Sequence, residues 1–315
     1  MDKQFNNRHR GRLGQIPIYT GKFFRMFIFM DDWKVLPMAI ITSGLVALVA
    51  CPDMFKTQEG TLRGSLALVC VCIWNGFFNS VQAVCRERNV IKREHRSGMF
   101  ISSYIMAHMI YQAFMCLIQT VILVMICRVA RMQFPAEGFM TRWFPLDIGI
   151  TFFLVTYAAD MMSLFISCIV RTTTAAMTVM PFMLIVQLIF SGSLFQLSNG
   201  ADAFTDLAIS KWGLNALCAQ ADYNSQPMVA VWNQLFKFRN FELEGIKPIE
   251  EITNFMLDND LVDDFCLKTG EYSRNLGYVQ TIENIGGCWL HLIGFALLFA
   301  VLSIIILQRI DKDKR

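Results

Sequence analysis

The residues that could do chemistry in this sequence are polar side chains set inside long apolar stretches. Asn75, Asn79 and Gln82 recur at i, i+4 and i+7, so on a helix they form one stripe. His108, Gln112 and Gln119 recur at i, i+4 and i+11, again roughly one face. Asp160 and Gln187 each stand in a further apolar run. Amides in that pattern suit binding, and a lone carboxylate suits a proton or a cation. In hydrocarbon such groups are costly, and they face either a wet cavity or a neighbouring helix. One reading makes Asn75, Asn79, Gln82, Gln187 and Asp160 candidate residues of a substrate path. The other makes the amides interhelical glue, and both stay open for them. Asp160 leans to the first, because a charge is harder to bury than an amide.

Bond-making chemistry has little support. The sequence holds no G-x-x-x-x-G-K-[ST] phosphate loop, no H-E-x-x-H pair and no G-x-S-x-G elbow. His9, His95, His108 and His291 are scattered, and the cysteines show no metal-ligand spacing. Cys70, Cys72, Cys85, Cys116 and Cys168 lie in apolar runs, where a thiol serves as a small hydrophobe. No catalytic residue, metal site or cofactor is therefore expected on this chain. A net charge of only +3 gives no reason to expect a nucleic-acid partner.

The elements that must position the polar residues are membrane-spanning helices. Of 315 residues, 55% are hydrophobic and only 17% charged, a charged fraction below that of soluble domains. The apolar residues bunch into runs at 33–51, 65–85, 100–127, 146–170, 174–197 and 287–308. Each approaches the roughly 20 helical residues that cross a hydrocarbon core. The runs are continuous rather than alternating, which favours helices over a barrel. The expected fold is an all-α integral membrane bundle of six transmembrane helices, wrapped in membrane lipid.

Lys and Arg concentrate before the first run, between the second and third (Arg86 to Arg96), and after the sixth (Arg309 to Arg315). An even helix count puts these sets on one side, so both termini are expected in the cytoplasm. Met1 to Arg12 is polar and basic and does not read as a secretory signal. Residues 1–32 then form a cytoplasmic tail and an amphipathic interfacial helix. Residues 33–198 hold helices one to five, 199–286 an extracytoplasmic loop or cap, 287–308 the sixth helix, and 309–315 a cytoplasmic tail. The 199–286 segment carries thirteen acidic and six basic residues, so it is net negative. Its length and apolar content (Trp212, Leu214, Leu217, Trp232, Phe236) call for secondary structure of its own. Cys218 and Cys266 lie there, as a disulfide or as two free thiols. The cluster Arg86-Glu87-Arg88 to Lys92-Arg93-Glu94-His95-Arg96 exceeds what anchoring needs, since Glu87 and Glu94 add nothing to it. Mixed charge suits docking onto a protein.

This layout resembles the permease domain of ABC exporters, the type-two permeases and especially the G subfamily, over Phe23 to Gln308. An amphipathic segment ends at Asp31-Asp32, and the second helix leads into Arg86-Glu87-Arg88 to Glu94, followed by Gly98 and Tyr104. Phe190-Ser191-Gly192 looks like the family's re-entrant turn, and Trp212-Gly213-Leu214-Asn215-Ala216-Leu217 like the stretch after it. Met99 replaces an expected aromatic and Ala113 stands where many members have proline, departures that bear on substrate class. The resemblance implies a half-transporter in the plasma membrane that pairs with a second permease copy, identical or different. It further implies an ABC-type ATPase, as a subunit or domain, with ATP and Mg held on that partner. The ATPase would push on Glu87, Arg88, Lys92, Arg93, Glu94 and Arg96. The second and fifth helices would line the dimer seam, and Phe190, Ser191, Gly192, Leu194 and Phe195 would form an outer gate. Two competitors are an ion-coupled carrier using Asp160 and a membrane scaffold that recruits a cytoplasmic partner.

Overall fold

The computed structural model describes residues 11–30, 32–50, 53–193, 202–242 and 247–310. Among these residues the fold is entirely helical, without strands. Thirteen α-helices are seen: α1 (Arg12–Phe29), α2 (Val35–Ala50), α3 (Gln58–Ser80), α4 (Ala83–Arg96), α5 (Ile101–Val129), α6 (Phe144–Ile169), α7 (Thr173–Ile189), α8 (Asp202–Thr205), α9 (Ile209–Gln220), α10 (Ala230–Lys237), α11 (Pro248–Asp258), α12 (Val262–Tyr272) and α13 (Ile282–Leu307).

Among the described residues, four stretches are long and apolar enough to cross a membrane: Gln58–Arg96, which joins α3 and α4, then α5, α6 and α13. At 1.5 Å per residue, α6 and α13 reach about 39 Å, beyond a hydrocarbon core of about 30 Å. α2 and α7 are apolar but shorter, at 16 and 17 residues, or roughly 24–26 Å.

Local chemistry sets the helix ends. Thr57, Thr172 and Thr281 are N-caps whose hydroxyls accept from Gly60, Ala175 and Asn284 backbone amides. Pro145 opens α6, where a missing N–H does no harm. Asp147 is buried and accepts from the Met140 and Thr141 amides at 2.9 and 2.8 Å, which fixes the loop ahead of that helix. Gly98 closes α4 at φ +105, a backbone that L side chains rarely adopt.

α6 is the axis of the bundle, with α3 and α13 packed along it. At the α3–α6 contact a Cβ on Gly76 would strike the Thr156 carbonyl, Ala159 Cβ and the Asp160 amide, so only glycine permits that approach. The outward faces of α2, α5 and α13 are apolar, with Leu48, Leu117, Val121, Leu290 and Val301 more than half exposed. α13 has the most open face of the long helices and α6 the least.

Part of the described 202–286 stretch packs directly on the bundle. α9 packs against α3, α6 and α13, with Ile209, Leu214, Leu217 and Cys218 fully enclosed. Gly213 lets α9 settle onto Val155 of α6 and Val69 of α3. Only α10, α11 and α12 form a peripheral layer, and α10 has no buried side chain. Cys218 and Cys266 are both free thiols. Burial first, then the nearby Asp263 carboxylate, raises the Cys266 thiol above its ordinary pKa, which keeps it protonated and unreactive.

Candidate functional site: interhelical polar ties and a charged helix

The polar stripe of α3 faces other helices. Asn79 exchanges two amide hydrogen bonds with Gln119 of α5: its Nδ2 donates to Oε1 at 2.9 Å, and its Oδ1 accepts from Nε2 at 2.8 Å. Gln112 Nε2 donates to the Asn79 carbonyl at 3.3 Å and to Ser80 Oγ at 2.9 Å. Cys116 Sγ lies 3.7 Å from Asn79 Nδ2 and donates to Asp160 Oδ2 at 3.4 Å. Asp160 is fully buried, and its Oδ1 lacks a well-formed hydrogen bond. One network thus joins α3, α5 and α6.

The other polar residues go elsewhere. Asn75 accepts from Thr42 Oγ1 of α2 at 3.3 Å. Gln187 ties α7 to α9: its Oε1 accepts from the Ser210 amide at 3.1 Å, its carbonyl accepts from Ser210 Oγ, and its Nε2 sits 3.8 Å from Met162 Sδ. Asn79 and Gln82 line a cavity of about 210 Å³ beside α1, whereas Gln187 lines a separate one of about 190 Å³ with Trp74 and Leu184 between α3 and α7. The five path candidates therefore do not converge on a single cavity within one chain.

At the end of α3 the chain turns at Val81-Gln82 into α4, the charged helix. Three contacts hold α4 in place. Ser167 Oγ of α6 accepts from the Val84 and Cys85 amides at 3.0 and 3.2 Å, satisfying two of the four unpaired N–H groups of that end. Arg88 Nη1 donates to the Cys168 and Val170 carbonyls at 3.0 and 3.2 Å, placing a cation at the negative end of α6. Lys22 of α1 bridges Glu87 at 3.3 Å and Glu94 at 3.4 Å. Gln15 extends this lock, donating to the Gly98 carbonyl at 3.1 Å and accepting from the Phe100 amide at 2.9 Å. Tyr19 packs beside it, and burial, then Glu94, push its phenol up to about 12. Arg93 and Arg96 point outward, exposed.

A family model described as ABC-2 type transporter matches residues 23–219, from within α1 to the end of α9 and over well more than half of the chain. The chain belongs to the ABC-2 type transporter family. No curated protein matches it. It is a multi-pass membrane protein and the transmembrane permease component of an ABC transporter, not its nucleotide-binding part.

In this ABC-2 permease, Phe190 ends α7 with its ring 6.2 Å from that of Phe204. Ser191 is buried and donates to the Leu188 carbonyl at 2.8 Å, and Gly192 adopts φ +79. Leu194 and Phe195, also expected at the outer gate, lie outside the described residues. Sequence reading passed over Lys22, Gln15 and Ser167 as individual partners. Lys22 was visible only as a cation within an amphipathic segment, and Ser167 is one small residue in an apolar run. No three or more His, Cys, Asp or Glu among the described residues gather into a metal site.

Proposed function

We propose that this permease is one half of an ATP-driven exporter of the plasma membrane, working as a dimer whose seam carries the substrate by alternating access. Six crossings are assigned to α2, α3, α5, α6, α7 and α13, with α1 lying in the cytoplasmic interface and both termini inside. The Lys and Arg distribution supports that orientation. An ABC-type ATPase, with its ATP and Mg, docks on α4 through Glu87, Arg88, Lys92, Arg93, Glu94 and Arg96. The observation that carries this reading is the double fastening of α4. Lys22 clamps it to α1, while Arg88 and Ser167 clamp it to the end of α6. A push on α4 is thereby delivered to the axial helix of the bundle rather than absorbed by a loose loop.

The seam is assigned to α3 and α7, where Asn75, Asn79, Gln82 and Gln187 contribute polarity and Phe190 to Phe195 close the outer end. Substrate acts by binding the inward and outward arrangements with different affinity. The test is co-purification from mild detergent of an ATPase with the full-length protein, beside a variant carrying Glu87→Lys, Arg93→Glu and Glu94→Lys. Retention of a cassette-type ATPase by the native protein, and its loss from the variant, is the expected result. An ATPase that neither co-purifies nor forms part of the full-length chain would sink the proposal. The ion-coupled carrier predicts that Asp160→Asn abolishes transport while removal of the ATPase does not. The exporter predicts dependence on the ATPase. A scaffold predicts partner binding without nucleotide sensitivity.

A further inference from the structure

A groove of about 800 Å³ lies between the C-terminal end of α2, the N-terminal end of α3 and the start of α10. It sits at the end of α3 opposite α4. Glu59, Arg63 and Ala67 line it at i, i+4 and i+8, so one face of α3 runs along the groove. At 1.5 Å per residue, Arg63 stands about 6 Å and Ala67 about 12 Å beyond Glu59 along that helix. Two glycines of α3 fix the level of the α2 side. A Cβ on Gly60 would strike the Asp53 carbonyl, and one on Gly64 would come within 3.2 Å of the Ala50 carbonyl. The lining therefore has two tiers. Asp53, Lys56, Glu59 and Arg63 form a charged one near the helix start, and Val49, Ala50 and Ala67 an apolar one deeper along α3.

Some of the polar lining is already engaged. Glu59 accepts from the Ala230 amide at 2.7 Å and the Val229 amide at 3.4 Å, which pins the start of α10 to α3. Thr57 Oγ1 accepts from the Gly60 amide at 3.2 Å. Asp53, Lys56, Arg63, Asn233 and Gln234 are exposed, and their side chains make no hydrogen bond or ion pair among the described residues. The volume falls within the range of about 300–1,000 Å³ of small-molecule sites. In a bilayer the charged tier meets headgroups and the apolar tier the first chain carbons. Lys56 and Arg63 suit a phosphate, as Lys and Arg do generally. Asp53 repels a head that carries only that negative charge, and attracts an ammonium next to it. No aromatic side chain lines the groove among the described residues, so it lacks the ring cage that takes a quaternary ammonium. A primary ammonium instead donates to Asp53 and to the amide oxygen of Asn233 or Gln234.

We infer that this groove binds a phosphoethanolamine lipid, with its phosphate on Lys56 and Arg63, its ammonium on Asp53, and its upper chain carbons on Val49, Ala50 and Ala67. The inference rests on α2 and α3 crossing the membrane, as assigned above, and not on the ATPase. The site lies within one chain and is distinct from the cavity between α3 and α7.

The probe is a phosphatidylethanolamine with a diazirine near the top of one acyl chain. It is photolysed with the full chain in phosphatidylcholine vesicles, and labelled peptides are mapped by mass spectrometry. Labels are expected to concentrate on residues 49–67 and 229–234. Unlabelled phosphatidylethanolamine should compete, and equal amounts of phosphatidylglycerol or water-soluble glycerophosphoethanolamine should not. Arg63→Gln should lower labelling roughly fivefold, the loss of one exposed charge pair of about 1 kcal/mol. Asp53→Asn should let phosphatidylglycerol compete as well as phosphatidylethanolamine, a change of preference that a packing defect does not produce. Asn233→Trp fills the groove from an exposed position of α10, leaves every charge in place and should also lower labelling. Even labelling along the lipid-facing helices overturns the inference. So does stronger competition by phosphatidylglycerol, equal competition by glycerophosphoethanolamine (a site for a free phosphate ester), or unchanged behaviour of any of the three variants. A diazirine phosphatidylcholine separates the two ways to fail. Equal labelling by both lipids strikes the groove alone, whereas no label on residues 35–80 from either strikes the crossings and the inference with them.

Discussion

Replacing Asn79 by leucine removes both amide bonds to Gln119, 2.9 and 2.8 Å long, and leaves a side chain that is only 2% exposed with neither end partnered. A hydrogen bond between membrane helices contributes about 0.6 kcal/mol on average and up to about 1.7. A buried group left unpaired costs about 1–3 kcal/mol. Each single variant, Asn79→Leu or Gln119→Leu, is therefore expected to lose about 2 kcal/mol of stability. The double variant leaves nothing unpaired on this pair and should lose about 2 kcal/mol rather than the roughly 4 of an additive sum. The assay is reversible unfolding in mixed dodecylmaltoside and dodecylsulfate micelles, run on all four proteins. A coupling energy below about 0.5 kcal/mol, the additivity seen for independent sites, would refute the view that this amide pair ties α3 to α5.

Three other perturbations have defined outcomes. Gly76→Val thrusts carbon into the Thr156 carbonyl and the Asp160 amide, backbone atoms that cannot turn aside. It should cost about 1–3 kcal/mol or more in the same unfolding assay, and an unchanged midpoint would contradict the close α3–α6 approach. Lys22→Met removes two ion pairs whose side chains are partly exposed, so its effect on thermal unfolding should stay under about 1 kcal/mol. That difference should shrink in about 1 M salt, and a larger, salt-independent loss would mean that Lys22 acts by packing instead. Tyr19 has its phenol pKa raised from 10.0 to about 12, chiefly by burial. The unfolded chain then ionises first as pH rises. Stability from this group is complete below pH 10 and is lost between there and about pH 12. Tyr19→Phe should flatten the alkaline limb of the unfolding midpoint, and identical limbs would show that Tyr19 is not shielded.

The apolar runs were legible because crossing hydrocarbon demands length and continuous apolarity, and both are local properties of the chain. The runs at 100–127, 146–170 and 287–308 sit on α5, α6 and α13 within a few residues. The charged stretch was equally plain, and it forms α4. The polar stripes were visible as spacing, but the spacing could not say what each residue meets. Asn75, Asn79 and Gln187 carry similar side chains in similar runs, yet they end on α2, α5 and α9 respectively. What residues 209–220 meet was hidden for a related reason. With Lys211, Asn215 and Gln220 among them, their composition reads as that of a soluble cap, whereas most of the helix is buried against α3, α6 and α13. Gln220, for example, donates its Nε2 inside the bundle to Thr151 Oγ1 and the Asp147 carbonyl.

The sequence by itself determined that this is a helical membrane protein with a charged stretch after its second apolar run, because periodicity, run length and charge placement are written residue by residue. Tertiary structure alone decided the pairings. Lys22 meets Glu87 and Glu94 across 65 and 72 positions, and Asn79 meets Gln119 across 40. No local pattern encodes such partners. They follow from which helix faces can pack closely, and in this bundle that is set by a bare Cα at Gly76 and another at Gly213.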